Sequence, residues 1–125
     1  MFEIAITKKS AVSGEARENY PPLDMFEQDD YLCLVFELPG VKVDDLRLKV
    51  YQGMLIVEGI KVESAPEGGR FLCVERQFGG FRRNIKLPCK VDPEGATAVY
   101  RDGLLYVRFP VVEERVYKIK IIKER

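Results

Sequence analysis

The 125-residue chain contains no histidine. Histidine is the commonest general base and metal ligand, so its absence argues against most acid–base enzymes and most transition-metal sites. No apolar run reaches the ~18 to 20 residues that a membrane helix requires. The 20 basic residues are balanced by 20 acidic ones, which disfavours binding to nucleic acid, since that binding depends on neutralising phosphates. We therefore expect no enzyme activity, no metal or other cofactor, and neither a nucleic-acid nor a membrane partner.

Cysteine is scarce and irregularly spaced. Cys33, Cys73 and Cys89 show no C-x-x-C spacing, and each lies beside aliphatic residues. This pattern favours buried free thiols of a reducing compartment over a disulfide framework. The N-terminal sequence "MFEIAITKKS" also lacks the apolar region of a signal peptide. We therefore expect a soluble cytoplasmic protein.

Strand-like alternation dominates the rest of the sequence. Hydrophobic residues make up 46% of the chain and charged residues 32%, a composition typical of a folded domain. Polar and apolar residues alternate at 31–38, 46–51 and 81–86, as in half-buried strands. About seven or eight such strands, separated by turn signals such as Asp102-Gly103, recur at roughly ten-residue spacing. The pattern predicts an all-β, immunoglobulin-like antiparallel β-sandwich.

The stretch "RQFGGFRRNIKLP" at residues 76–88 interleaves four cations with apolar residues. A polyanion groove would use such a pattern, but the neutral overall charge favours a strand with Phe81, Arg83 and Ile85 on one side. An arginine on that side should be partly buried and bonded to carboxylate or carbonyl groups, because an unpaired buried charge is costly. The alternative is that Arg83 extends its guanidinium to water beside the sheet edge.

Several motifs occur in the order and spacing of a known domain. "FELPGVKVDDLRLKV", "GMLIVEG", "ERQFGGFRRNIKLP" and "AVYRDGLLYVRFP" follow one another, with G-x-F-x-R at 79–83 and A-x-x-x-n-G-x-L at 98–105. Together they resemble the α-crystallin domain of small heat-shock proteins, and residues 119–121 are similar to the family's C-terminal I-x-I motif. The resemblance implies three parts: a short N-terminal arm (1–22), an α-crystallin-type β-sandwich domain (23–110) and a C-terminal extension (111–125).

The resemblance also implies a function. Small heat-shock proteins are ATP-independent holdases, which bind unfolding client proteins through apolar surface and prevent their aggregation. The alternative is a co-chaperone or adaptor of the related CS type, which binds a single folded partner. Such a module would not be expected to keep both the I-x-I tail and the strand insertion described next.

The resemblance further suggests a strand-swapped homodimer. Phe71, Cys73 and Glu75 would share one side of an additional strand, which is exchanged onto the edge that "DMFEQDD" supplies in the partner. The alternative is an ordinary intrachain hairpin. The resemblance places Arg76 and Arg83 at the same dimer interface. Family members commonly have a longer, aromatic-rich N-terminal arm than this chain, which argues against a large oligomer and strong holdase activity and leaves a dimer or small oligomer as the alternative.

The C-terminal tail is too apolar for a purely solvated segment. Ile119 and Ile121 lie two residues apart, so an extended tail presents both on one face. The resemblance implies that they dock into a groove of a neighbouring subunit, although docking on their own domain is the alternative. We expect four residues to line that groove: Leu55, Val57, Leu105 and Val107.

Overall fold

The structure, a computed structural model, describes residues 19–63, 65–113 and 116–125. Residues 1–18 of the expected N-terminal arm lie outside the described residues. The strands run between Leu23 and Pro110, and the described residues contain no α-helix, only two short 3-10 turns. The bounds are β1 Leu23–Gln28, β2 Tyr31–Glu37, β3 Leu46–Tyr51, β4 Met54–Lys61, β5 Gly79–Lys86, β6 Thr97–Arg101 and β7 Leu104–Pro110.

Two antiparallel sheets form a sandwich, which confirms the predicted fold class. One sheet has the order β1-β2-β7-β6 and the other β3-β4-β5. Three of the hairpins close with two-residue turns in which both residues have positive φ, as in type I′ turns: Asp29-Asp30, Gln52-Gly53 and Asp102-Gly103. Such turns match the right-handed twist of paired strands, so they set the register of each hairpin.

The core lies between the sheets and is built from alternate side chains of the inner strands. The four-stranded sheet contributes three consecutive inward positions from each of its two central strands, and the three-stranded sheet contributes β4 and β5. These residues are Leu32, Leu34 and Phe36 of β2, Leu105, Val107 and Phe109 of β7, Leu55 and Val57 of β4, and Phe81 and Ile85 of β5. The period-two pattern in the sequence thus becomes the burial pattern of the sandwich.

Phe81 on β5 packs tightly at one side of the sandwich, between Gly59 on the neighbouring strand and Tyr20. A Cβ atom at Gly59, which faces Phe81 across the β4–β5 pair, would lie 2.6 Å from the Asp45 carbonyl oxygen and 2.8 Å from the Phe81 ring. Only glycine fits there, because β3, β4 and the aromatic ring approach too closely for a side chain. The Tyr20 ring contacts Phe81 edge-on at 5.3 Å. The β5 edge therefore lies beside the segment that leads into β1, and the β3 and β6 edges lie at the opposite side.

In the single chain, the additional strand predicted to contain Phe71, Cys73 and Glu75 is not formed, and its exchange onto a second copy stays a prediction. Among residues 62, 63 and 65–78 the structure describes no strand, and β5 begins at Gly79 and pairs directly with β4. The intrachain hairpin is therefore absent as well. The physical reason is that a strand needs a neighbour to accept and donate its backbone hydrogen bonds, and no strand of the described chain pairs with this segment.

The three cysteines are free thiols, as predicted, but only one is buried. Cys33 is buried and Cys89 is half-buried, whereas Cys73 is exposed, so the expectation of burial was wrong for Cys73. Desolvation raises the pKa of the Cys89 thiol, and the negative charge of Glu27 raises it further. Cys89 is therefore less thiolate at neutral pH than an ordinary cysteine.

Candidate functional site

Three regions of the described chain leave apolar surface uncovered. They are the outer edge of β1, the loop segment 70–78 and the tail 116–125. An isolated soluble domain rarely exposes so many large apolar residues in connected segments, and such surfaces mark interaction sites. Each region also contains residues that the sequence singled out, so we describe them in turn.

The outer edge of β1 is unpaired. β1 lies at one end of its sheet and pairs with β2 on one side only, and no strand among the described residues pairs with its other side. Met25 and Phe26 on this strand are exposed. A free edge with apolar side chains is a template for pairing with another chain.

The loop segment 70–78 is apolar and exposed. Leu72 is 87% exposed, and Phe71 and Val74 are each 43% exposed. The interface residues Cys73 and Glu75, predicted for this segment, are exposed too. Extended apolar residues without a backbone partner are suited to adding a strand to another sheet.

Arg76 and Phe78 anchor the C-terminal end of this segment. Phe78 is buried, and the Arg76 guanidinium carbon lies 5.0 Å from the centre of its ring. This cation–π contact holds the arginine against its own domain, while residues 70–75 before it are exposed. Arg76 itself is exposed, so it is accessible to a second chain.

Arg83 is half-buried on the inward face of β5, and its Nη1 donates a 2.7 Å hydrogen bond to the Pro21 carbonyl. The predicted partial burial and carbonyl partner are confirmed. The bond joins two segments 62 residues apart and holds the start of β1 against the three-stranded sheet. Arg83 thereby positions the β1 edge, while its place in a dimer interface stays a prediction.

The tail is exposed and has no regular structure. Ile119 is 85% and Ile121 91% exposed, and no strand is present among residues 116–125. Neither isoleucine packs on its own domain. The tail therefore offers two apolar side chains that lack a cover in the single chain.

The four residues expected to line a tail-accepting groove are core residues instead. All are at most 4% exposed, since they point between the sheets from the inner strands β4 and β7: Leu55, Val57, Leu105 and Val107. The expectation of an accessible groove at these positions was wrong. Strand alternation identified their apolar face, but it did not reveal that both strands lie inside the sheets.

An incompletely covered apolar surface lies instead between the edge strands β3 and β6. Leu48 and Val50 on the inward face of β3 are half-buried, and Tyr100 on β6 is half-buried with its hydroxyl donating to the Leu38 carbonyl at 2.6 Å. Ala98, on the same face of β6, is exposed although it pairs with the buried Val107. The sandwich is therefore open at this side, which we name the β3–β6 opening.

Among the described residues, no group of three or more histidine, cysteine, aspartate or glutamate side chains is placed to hold a metal ion. In the same part of the chain, no helix has the length and apolar character needed to cross a bilayer.

Comparison with known families identifies the domain. The family model described as "Hsp20/alpha crystallin family" matches residues 24–123. The chain belongs to this family. The match covers both sheets, the loop segment and the tail motif, and it confirms the resemblance read from the sequence.

Curated relatives are small heat-shock proteins. Small heat shock protein C4 of Rickettsia felis is 37% identical over 103 residues, which cover 81% of this chain and 63% of that protein. Heat shock protein 16 of Schizosaccharomyces pombe is 35% identical over 104 residues, which cover 81% of this chain and 73% of the relative. The chain thus spans slightly less than two thirds of the length of the Rickettsia felis protein.

Solved structures of the family share the fold. Heat shock protein 16.0 from Schizosaccharomyces pombe superposes with a TM-score of 0.68 at 34% identity, over 83% of this chain and 97% of that one. A small heat-shock protein from Xylella fastidiosa, which has a distinct high order structure, superposes with a TM-score of 0.66 at 28% identity, over 83% and 96%. The sandwich of this Hsp20 chain is therefore the family's fold.

Replacing Arg83 with methionine tests its anchoring role. The variant Arg83→Met keeps an apolar stem but leaves the Pro21 carbonyl without its donor, so we expect the free energy of unfolding to fall by about 1 to 3 kcal/mol. Hydrogen exchange of the β1 amides should accelerate more than exchange in β7. Chemical denaturation and exchange measurements check both effects.

The neighbouring arginine provides the control. Arg82 lies on the opposite face of β5, where its side chain is 57% exposed and reaches Glu58 only at 3.8 Å. Arg82→Met should therefore change stability by less than about 1 kcal/mol. Equal losses in both variants, or unchanged β1 exchange in Arg83→Met, would contradict the anchoring role.

Proposed function

We propose that this Hsp20 chain is an ATP-independent holdase that works as a self-assembled homodimer or larger oligomer. The observation that carries the proposal is the amount of apolar surface left uncovered by one chain: the β1 edge, the loop segment 70–78 and the tail. A partly unfolded client presents apolar segments and unpaired strand edges, and a partner that covers them lowers the concentration of the aggregating species. Residues 23–110 form the domain and residues 111–125 the extension in this proposal.

The dimer forms by strand exchange in this proposal. The segment containing Phe71, Cys73 and Glu75 leaves its own domain and adds to the outer β1 edge of a second copy. Two observations support it. The outer edge of β1 has no neighbouring strand, and the loop segment pairs with no strand through backbone hydrogen bonds. Pairing them provides both with backbone hydrogen bonds and removes an edge that invites uncontrolled association. Arg76 and Arg83 flank the exchanged strand.

Higher assembly uses the tail. Ile119 and Ile121 insert into the β3–β6 opening of a neighbouring subunit, where Leu48, Val50 and Ala98 are incompletely covered. Burying two isoleucines contributes ~3 to 6 kcal/mol before ordering costs, which is adequate for reversible attachment. The β3–β6 opening replaces the groove of inner-strand residues, because only an edge of the sandwich is accessible to a tail.

The adaptor alternative is not favoured. A CS-type module would bind one folded partner, whereas this chain matches the Hsp20 family across the loop segment and the I-x-I tail. The exposed isoleucines and the loop segment both have a use in self-assembly, whereas a single-partner adaptor would not be expected to keep both.

The holdase function predicts protection of a client. The intact chain, added in equimolar amount to a heat-labile enzyme, should suppress the light scattering of the heated enzyme, with and without ATP to the same extent. The physical reason is that binding exposed apolar surface needs no energy input. Client scattering that rises as fast as without the chain would contradict the proposal.

Removing the two tail isoleucines should dissolve the higher assembly. The variant Ile119→Ala/Ile121→Ala loses most of the buried tail surface, so docking should weaken on the order of a hundredfold or more. Multi-angle light scattering should then show a dimer where the intact chain forms a larger species.

A matched control alters the opposite face of the tail. Val116→Ala/Ile122→Ala removes comparable apolar surface, but its two positions are even-numbered and face away from Ile119 and Ile121 in an extended tail. This control should keep the mass of the intact chain. If both double variants behave alike, docking does not depend on the I-x-I face.

Proline in the loop segment should abolish the dimer. Neighbouring residues of a strand direct their N–H groups to opposite sides, so one of the two single variants Leu72→Pro and Cys73→Pro must remove a donor that faces β1 of the partner. Made in the Ile119→Ala/Ile121→Ala background, which removes tail docking, that variant should sediment as a monomer at concentrations where the background protein is dimeric. The stability of the single chain should change little, because residues 70–78 contain no strand that proline could interrupt.

A proline elsewhere in the same loop is the control. Gly68 has φ of 78° and the Gly69 N–H donates to the Pro66 carbonyl at 2.9 Å, so Glu67 occupies a turn position that suits proline. Glu67→Pro should therefore leave the dimer intact. A dimer that survives both Leu72→Pro and Cys73→Pro would rule out the exchanged strand.

A further inference from the structure

The outer face of the three-stranded sheet has a distinct charge. On this face the side chains of β3, β4 and β5 point away from the core, and the register places Arg47, Glu58 and Arg82 in one row across the strands. Lys49 and Lys86 lie on the same face of β3 and β5. Glu58 is the only acidic residue among these outward positions. Four cations against one carboxylate leave three excess positive charges on a chain of zero net charge.

The negative charge of Glu58 does not make this face acidic, because two cations already neutralise it. It is buried, with 9% of its side chain exposed, and its carboxylate lies 2.8 Å from Lys49 Nζ and 3.8 Å from Arg82 Nη1. The cations remain accessible, since the side chains of Lys49 and Arg82 are 45% and 57% exposed. This face therefore presents positive charge to solvent although its centre contains an acid.

The cations flank an apolar row. Met54, Ile56 and Ile60 of β4 point outward between the two edge strands and are half-buried. Because β3 and β5 are each one strand spacing from β4, their backbones run roughly 10 Å apart. Lysine and arginine side chains are longer than methionine and isoleucine, so Met54 and Ile56 form the floor of a shallow channel, which ends where Lys49 and Arg82 converge on Glu58.

We propose that this channel binds extended segments of unfolding proteins in which acidic residues are interspersed with apolar ones. The apolar side chains of the segment contact the β4 row, and its carboxylates reach the cations of β3 and β5. The inference rests on the proposed holdase function and names its client class. Electrostatic complementarity of this kind sets partner choice and association rate more than total affinity.

The channel suits a polypeptide better than other polyanions. A nucleic-acid strand would leave the apolar row in contact with phosphates and sugars, and exposed aromatic side chains for base stacking are represented on this face by Tyr51 alone. A flat bilayer would meet the longer cations first and leave the recessed apolar row uncovered. Alternating apolar and acidic residues use both parts of the surface.

A pair of peptides tests the proposal directly. The probes are a fluorescein-labelled peptide of about eight to ten residues, the length of β4, containing leucine, serine and glutamate, and a matched peptide with lysine for each glutamate. Fluorescence anisotropy with the intact protein should show at least about tenfold tighter binding of the glutamate peptide. That preference should shrink as salt rises from about 50 to about 200 mM, because salt screens exposed charges.

Neutralising two flanking cations should weaken this binding. The variant Arg82→Gln/Lys86→Gln leaves Lys49 in place to pair with Glu58, so the sheet should stay folded. We expect about three- to tenfold weaker binding of the glutamate peptide and little change for the lysine peptide. The control Lys42→Gln/Lys90→Gln removes the same charge from exposed positions outside the channel and should bind as the intact protein does.

Several outcomes would overturn the inference. They are equal binding of the two peptides, equal losses in the two double variants, and binding of phosphatidylglycerol vesicles or an oligothymidylate strand in place of the glutamate peptide. Aggregation assays with one acidic and one basic client separate this failure from failure of the holdase function. A protein that protects both clients equally, with or without Arg82→Gln/Lys86→Gln, is a holdase without this channel. A protein that protects neither client lacks the proposed function.

Discussion

Burial of alternate side chains between two sheets is the interaction on which the rest of this structure depends. The inward residues of β2, β4 and β7 fill the interior, and these strands have a neighbour on both sides. The four edge strands have a neighbour on one side only. β1 has a free backbone edge, and β3 and β6 leave apolar side chains half-covered at the β3–β6 opening. The same packing that stabilises the domain therefore leaves defined surfaces for other chains.

Local features of the fold were predictable because they depend on neighbours in sequence. Alternation predicted the strands and their buried faces, and Asp102-Gly103 predicted a turn that both residues now form with positive φ. The environment of Arg83 followed from its place between Phe81 and Ile85, since an inward arginine needs a carbonyl or carboxylate partner. The identity of that partner, a carbonyl 62 residues away, was not visible in the sequence.

Features that depend on sheet order were not predictable. Leu55 and Leu105 lie on apolar faces of their strands and were expected to line a groove. Their strands have neighbours on both sides within the sheets, so both side chains are buried in the core. The loop segment 70–78 has a strand-like composition. Only the register of β4 with β5 reveals that these two strands pair directly and that the segment between them joins neither sheet within one chain. Burial of Cys73 was misjudged for the same reason, since it lies in this loop and is exposed in the single chain.

Backbone hydrogen exchange of residues 70–78 is the sharpest test of the proposed assembly through exchanged edges. In one chain these amides have no strand to bond to. The measurement is their exchange rate, followed by mass spectrometry at several protein concentrations. We expect slow exchange at high concentration, together with slowed exchange at the β1 edge, and loss of both on dilution. Fast exchange of residues 70–78 at every concentration at which the protein is assembled would contradict it.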